Sequence, residues 1–166
     1  MHMRKLGFLL IIVVLGISQV TILDYLKVFW IKPDLLLIAV VLVSILSELK
    51  LAIFIAILCG IFKDIFAVQA FGINTLSFPL WSLITLKLSR EIPLDDNYIY
   101  VALIFFAVVF NDLIRLIFIF FSNSSVLPLN VFLRITFLES LYTASVSPLI
   151  FKFISLLPFK NKEVVI

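Results

Sequence analysis

The sequence predicts an all-α integral membrane protein of six transmembrane helices in one domain, residues 1–166. Three observations carry that prediction. First, 64% of the 166 residues are hydrophobic and only 14% charged; a soluble domain carries about 25% charge and at most about 50% apolar residues. Second, the excess falls in long blocks that approach the roughly 20 apolar residues needed to cross a bilayer. Third, the basic residues divide unequally between the connections on the two sides.

The first block, Leu6–Leu23, reads "LGFLLIIVVLGISQVTIL" behind Arg4 and Lys5. It is long for a signal-peptide core, and "SQVTILDYL" offers no small-residue cleavage site, so it reads as a permanent span. The second, Pro33–Ser47, is short: at 1.5 Å per residue it reaches about 22 Å of a core roughly 30 Å thick. It is expected to cross by extending back through "KVFWI" or by letting Glu48 and Lys50 snorkel. Pro33 suits a first helical position, where a missing N–H costs nothing, and Asp34 suits the first turn.

The third block is Leu51–Val68. A tight hairpin, "VQAFGIN", joins it to the fourth, Gly72–Leu88, with Gly72 available for a left-handed turn. The polar connection "REIPLDDN" leads to the fifth, Tyr98–Ser122, and the uncharged "SNSSVLPLN" to the sixth, Val131–Leu157. Pro148 inside the sixth should kink or split it. With the N-terminus inside, Arg4, Lys5, Lys50, Lys87, Arg90, Lys152, Lys160 and Lys162 gather on the inner face, and only Lys27 and Lys32 on the outer. That asymmetry puts both termini in the cytoplasm.

Several function classes fall away. The net charge of +3 follows membrane topology and not a nucleic-acid patch. One cysteine, Cys59, and one histidine, His2, make neither a disulfide framework nor a metal cluster. No Gly-rich phosphate loop or nucleophile elbow occurs. The reading is non-enzymatic, without cofactor or metal. Trp30, Trp81, Tyr98 and Tyr100 suit the membrane interface.

Six charges remain inside the blocks: Lys63, Asp64, Asp112, Arg115, Arg134 and Glu139. Each costs about 2.5–3.5 kcal/mol at a helix centre, so six unpaired would cost roughly 15–21 kcal/mol. They should be paired or wet. Helix geometry places all of them in the outer half of the bilayer, with Asp64 about 7 Å from the midpoint. Asp112 and Arg115, three apart, can pair on one face, and Asn111 shares that face with Arg115. The expected layer joins the third, fifth and sixth segments, Asp64 meeting Arg115 or Arg134 and Glu139 meeting Lys63 or Arg134. Such a layer serves as a packing clamp, a docking surface for a partner's helix, or a pocket for a substrate or proton.

The residues also resemble a known family. "IKPDLLLIAVVLVSIL" followed by "CGIFKDIFAVQAFGINTLSFPLWSLI" is similar to the rod-shape-determining MreD family. The carrying positions are Pro33 and Asp34, Gly60 and Asp64 in Gly-x-x-x-Asp, Gly72 eight residues on, and Pro148 in the last helix; Asp112 too sits at a familiar place. Lys63 and Glu139 depart from the family pattern. The resemblance implies a non-enzymatic inner-membrane component of the cell-elongation machinery. Such a protein binds a bitopic MreC-like partner and acts through it with MreB filaments, the RodA glycosyltransferase and a penicillin-binding transpeptidase. The implied fold is similar to the substrate-binding subunits of energy-coupling-factor vitamin transporters, and a subunit of that kind is the rival reading. Such a subunit docks through small alanines on its first helix, and Leu6–Leu23 has no alanine.

Overall fold

The computed structural model of the chain describes residues 14, 16–19, 21, 31–66, 72–91, 97–121 and 128–155. Five complete helices lie within them: α1 (Leu35–Leu46), α2 (Leu49–Ile65), α3 (Ile73–Glu91), α4 (Asn97–Phe121) and α5 (Leu129–Ser155). Residues 16–19 are helical as well, and no β-strand forms among the described residues. The class is all-α. Most of the first segment, Leu6–Leu23, lies outside the described residues. So do the interiors of the three longer connections and both termini, with the orientation expected for them.

The centre of the molecule is α1. Its run "LLLIAVVLV" has no polar side and no helical period, the pattern of a helix covered all round. Every residue from Leu35 to Ser44 is buried. Around it α2, α3, α4 and α5 form an arc in chain order. Each packs on its neighbour in the arc and all four pack on α1, while α2 and α5 do not touch. Phe78 of α3 and Ile104 and Val108 of α4 close against α1 in a single apolar core.

At 12 residues, α1 spans about 18 Å, less than the expected crossing from Pro33 to Ser47. Its start also differs. Asp34 is not in the first turn but is the N-cap, with non-helical backbone (φ −90°, ψ 87°) and its carboxylate accepting from the Leu37 N–H. Pro33 therefore precedes the helix. An N-cap carboxylate satisfies an orphan N–H directly, and that favours the later start.

Of the described helices, Tyr98–Phe121 in α4 is long and apolar enough to cross a membrane, with a mean hydropathy of 2.3 over its best stretch. Large apolar side chains point outward from the arc, among them Leu76, Leu80, Phe106, Phe120 and Leu149.

Neither internal proline breaks its helix: α3 runs through Pro79 and α5 through Pro148. Pro148 lacks the N–H that would bond the Ala144 carbonyl. The Ser147 hydroxyl donates to that carbonyl at 2.7 Å instead. This local repair lets α5 continue, so of the expected kink or split the split does not occur.

Candidate functional site

The polar groups of the bundle form three connected features. The first is the joint between α2 and α3. Gly60 and Asp64, four residues apart, lie on one side of α2. A methyl group at Gly60 would stand 2.5 Å from the Asn74 carbonyl oxygen and 2.6 Å from the Thr75 Cα, so the two backbones are in contact there.

That approach delivers the Asp64 carboxylate to the start of α3. One oxygen accepts from the Asn74 N–H at 3.1 Å and the Asn74 amide at 2.7 Å. The other accepts from the Thr75 N–H at 2.8 Å and the Thr75 hydroxyl at 2.6 Å. Asn74 and Thr75 are the second and third residues of α3, whose N–H groups have no acceptor inside the helix. Asp64 thus caps a helix other than its own and places its charge at the positive end of that helix. Gly72, at φ +96°, makes the turn before α3 in a conformation that side chains resist.

Asp64 is fully buried and makes no ion pair with another described residue. The expected partners, Arg115 and Arg134, are replaced by four neutral donors, enough to occupy the lone pairs of both oxygens. The network continues into α4: the Asn111 amide donates to Asn74 Oδ1 at 3.4 Å, and Asn111 Oδ1 accepts from the Ser77 hydroxyl at 2.6 Å. Asn111 therefore turns its amide to α3.

The second feature is centred on Asp34. Lys63, expected to meet Glu139, instead forms an ion pair with Asp34 Oδ2. Its ammonium also stands 5.2 Å from the Phe78 ring centroid, within cation–π range. Gln19 donates to Asp34 Oδ1 at 3.3 Å and accepts from the Leu36 N–H at 3.0 Å. The Asp34 N–H donates to the Thr143 hydroxyl at 3.1 Å. One residue thereby ties the N-terminal helical stretch, α1, α2 and α5.

Asp34 is 2% exposed, so Lys63→Ala would leave a carboxylate buried without its cation. A loss of about 3–5 kcal/mol is expected, read as a lowered midpoint of thermal unfolding in detergent. Asp34→Asn, which keeps the cap, should cost less than Lys63→Ala.

The third feature lies between α4 and α5. Arg115 Nη1 is 3.3 Å from Asp112 Oδ1, the expected pair three residues apart. Glu139 lies within electrostatic range of Asp112, Lys63, Arg115 and Asp34. It makes neither a hydrogen bond nor an ion pair with another described residue. Arg134 is exposed and pairs with neither Asp64 nor Glu139. Five residues along a helix turn it well away from Glu139.

The expected ionic layer is thus corrected. The structure brings Lys63, Asp112, Arg115 and Glu139 into one neighbourhood, adds Asp34, sends Asp64 and Asn111 into a neutral network, and leaves Arg134 outside. Among the described residues, no three or more His, Cys, Asp or Glu side chains gather in a way that would hold a metal ion.

Sequence reasoning missed Gln19, Asn74, Thr75, Ser77 and Thr143. Asn74 and Thr75 carried a readable signal, two capping-type residues directly after a turn glycine and before an apolar run. Gln19 and Thr143 carried none, because each acts on Asp34 across the fold. No family model matches the chain, and neither a curated protein nor a solved structure is found to resemble it.

Proposed function

We propose that the chain is a non-enzymatic, multi-pass protein of the bacterial inner membrane. In this reading it serves as a scaffold of the cell-elongation machinery in the manner of the MreD family. It binds an MreC-like bitopic protein and, through it, works with MreB filaments, RodA and a penicillin-binding transpeptidase to direct side-wall peptidoglycan synthesis. One observation carries the reading. Asp34, Gly60, Asp64 and Gly72, four of the positions on which the resemblance rests, also lock α1, α2 and α3 together. A pattern whose spaced members meet in space is more specific than its single residues. The outward apolar side chains and inward polar groups support several crossings of a bilayer.

The test is co-purification from membranes in mild detergent. The full chain should retain a co-expressed MreC-like protein at a fixed ratio through gel filtration. A tightly bound vitamin in the purified protein, with no retention of the partner, overturns the scaffold in favour of a transporter's substrate-binding subunit.

A further inference from the structure

Three of the helices end at one height. Asp64, at the end of α2, accepts from the Asn74 and Thr75 N–H groups at the start of α3. Lys63 beside it meets Asp34 at the start of α1. The same residues fix where the two longer helices pass: Asn74 meets Asn111 of α4, and Asp34 meets Thr143 of α5. Beyond that height α4 runs on through residues 112–121 and α5 through residues 129–142, about 15 and 21 Å of helix. In these stretches only Asp112, Thr136 and Ser140 are buried. From Leu103 to Asn111 and from Thr143 to Ile150, by contrast, buried residues recur in every turn. The ends of α4 and α5 therefore stand clear of α1, α2 and α3.

The outward faces differ in height accordingly. Beyond Lys50 every exposed side chain of α2 is apolar, Phe54, Ile57, Ile61 and Ile65 among them, and so is every one of α3 from Leu76 to Ile84. Lys50 to Phe66 measures about 24 Å along the helix, and Gly72 to Lys87 about 22 Å. The apolar run Tyr98–Phe121 of α4 measures about 35 Å. Counted from the shared height, Lys50, Lys87 and Tyr98 all lie about 20 Å away. Those ends are level, so the whole difference falls at the end where α1 begins. A bilayer core roughly 30 Å thick fits α4 with a modest tilt and exceeds the face of α2 and α3 by about 6–8 Å. A bilayer in contact with too short an apolar face thins to match it.

We propose, resting on the multi-pass reading, that the leaflet at this end sinks to meet α2 and α3. This face then binds phospholipid in a locally thinned form, while α4 and α5 reach through the full thickness. The occupant is acyl chain and not a partner's helix. The exposed residues of α2 and α3 named above are large and apolar, offering neither the small-residue groove nor the polar anchor that joins helices in membranes. The face also stops where a spanning helix would still have hydrocarbon to cross.

The experiment reconstitutes the full chain in dioleoylphosphatidylcholine vesicles with a nitroxide on an introduced cysteine. Cys59 is buried, and the unsubstituted chain serves as the blank. Leu76→Cys on α3 is compared with Phe110→Cys on α4, and Ile65→Cys on α2 with Leu113→Cys on α4. All four positions are exposed. In each pair the α4 member stands about 1.5 Å higher on the protein, so a flat bilayer puts it slightly nearer the headgroups. The order is expected to reverse. The α2 and α3 labels should lie about 5 Å or more nearer the headgroups, read from collisions with oxygen against a water-soluble nickel complex. The difference should shrink in dimyristoleoyl and grow in dierucoyl phosphatidylcholine. The flat-bilayer order in both pairs, a difference indifferent to chain length, or α2 and α3 labels shielded from oxygen by a second copy overturns the proposal. In those cases labels that sit in lipid or protein leave the multi-pass reading standing. If the Leu76 and Ile65 labels meet only water, α2 and α3 do not cross, and both readings fall.

Discussion

Asp64→Ala is expected to remove about 4 kcal/mol or more of stability, leaving little folded protein in detergent extracts. The carboxylate satisfies four donors at once, two of them backbone N–H groups at the first turn of α3. Each donor stranded in a dry interior costs about 1–3 kcal/mol, and the favourable meeting of a negative group with the helix terminus disappears too. Asn74 also holds Asn111, so the loss should spread to the contact between α3 and α4. Asp64→Asn separates charge from shape. It keeps one accepting oxygen but turns an amide toward donors, so roughly half the loss is expected. The measurement is thermal or chemical unfolding in micelles, followed by fluorescence of the two tryptophans, Trp30 and Trp81. An Asp64→Ala protein within about 1 kcal/mol of the native one would mean that the start of α3 is capped by other groups.

Gly60→Ala is expected to destabilise by about 2–3 kcal/mol, the cost of overpacking a filled contact, and Gly60→Leu to yield no folded protein. The sign is diagnostic. Inside an unconstrained helix, glycine to alanine stabilises by about 1 kcal/mol. Here the new methyl would meet backbone atoms of Asn74 and Thr75 at 2.5 and 2.6 Å, and backbone cannot rotate aside as a side chain can. Separating α2 from α3 also carries Asp64 out of reach of its four donors. The two substitutions should therefore be strongly non-additive, the double variant losing clearly less than the sum of the singles. Additive losses would break the link between close approach and capping.

How far the sequence could be read depends on which forces act locally. Long apolar runs declare themselves, and each of the five helices lies over an expected segment with ends displaced by no more than three residues. The covered state of α1 was not legible, because the partly exposed α4 is also a long apolar run. Nor were the partners of the charges. Expecting the six charges to pair with one another assumes that a buried carboxylate seeks a cation, as Asp34 does with Lys63. Asp64 instead uses a helix terminus and two small polar side chains, none of which enters a charge count. Spacing along one helix correctly paired Asp112 with Arg115, because the two share a backbone element. Gln19 and Thr143 could not be placed, because their meeting with Asp34 depends on helix packing and not on periodicity.

The enclosure of α1 has a consequence for how the protein is made. Ribosomes deliver the chain from the N-terminus, so this stretch is made well before its wrapping exists. The Asp34 N–H waits for a hydroxyl 109 positions downstream. Until Thr143 emerges, the core segment is uncovered and its capping end unfinished. Final closure is therefore a late event in synthesis, set by the arrival of α5.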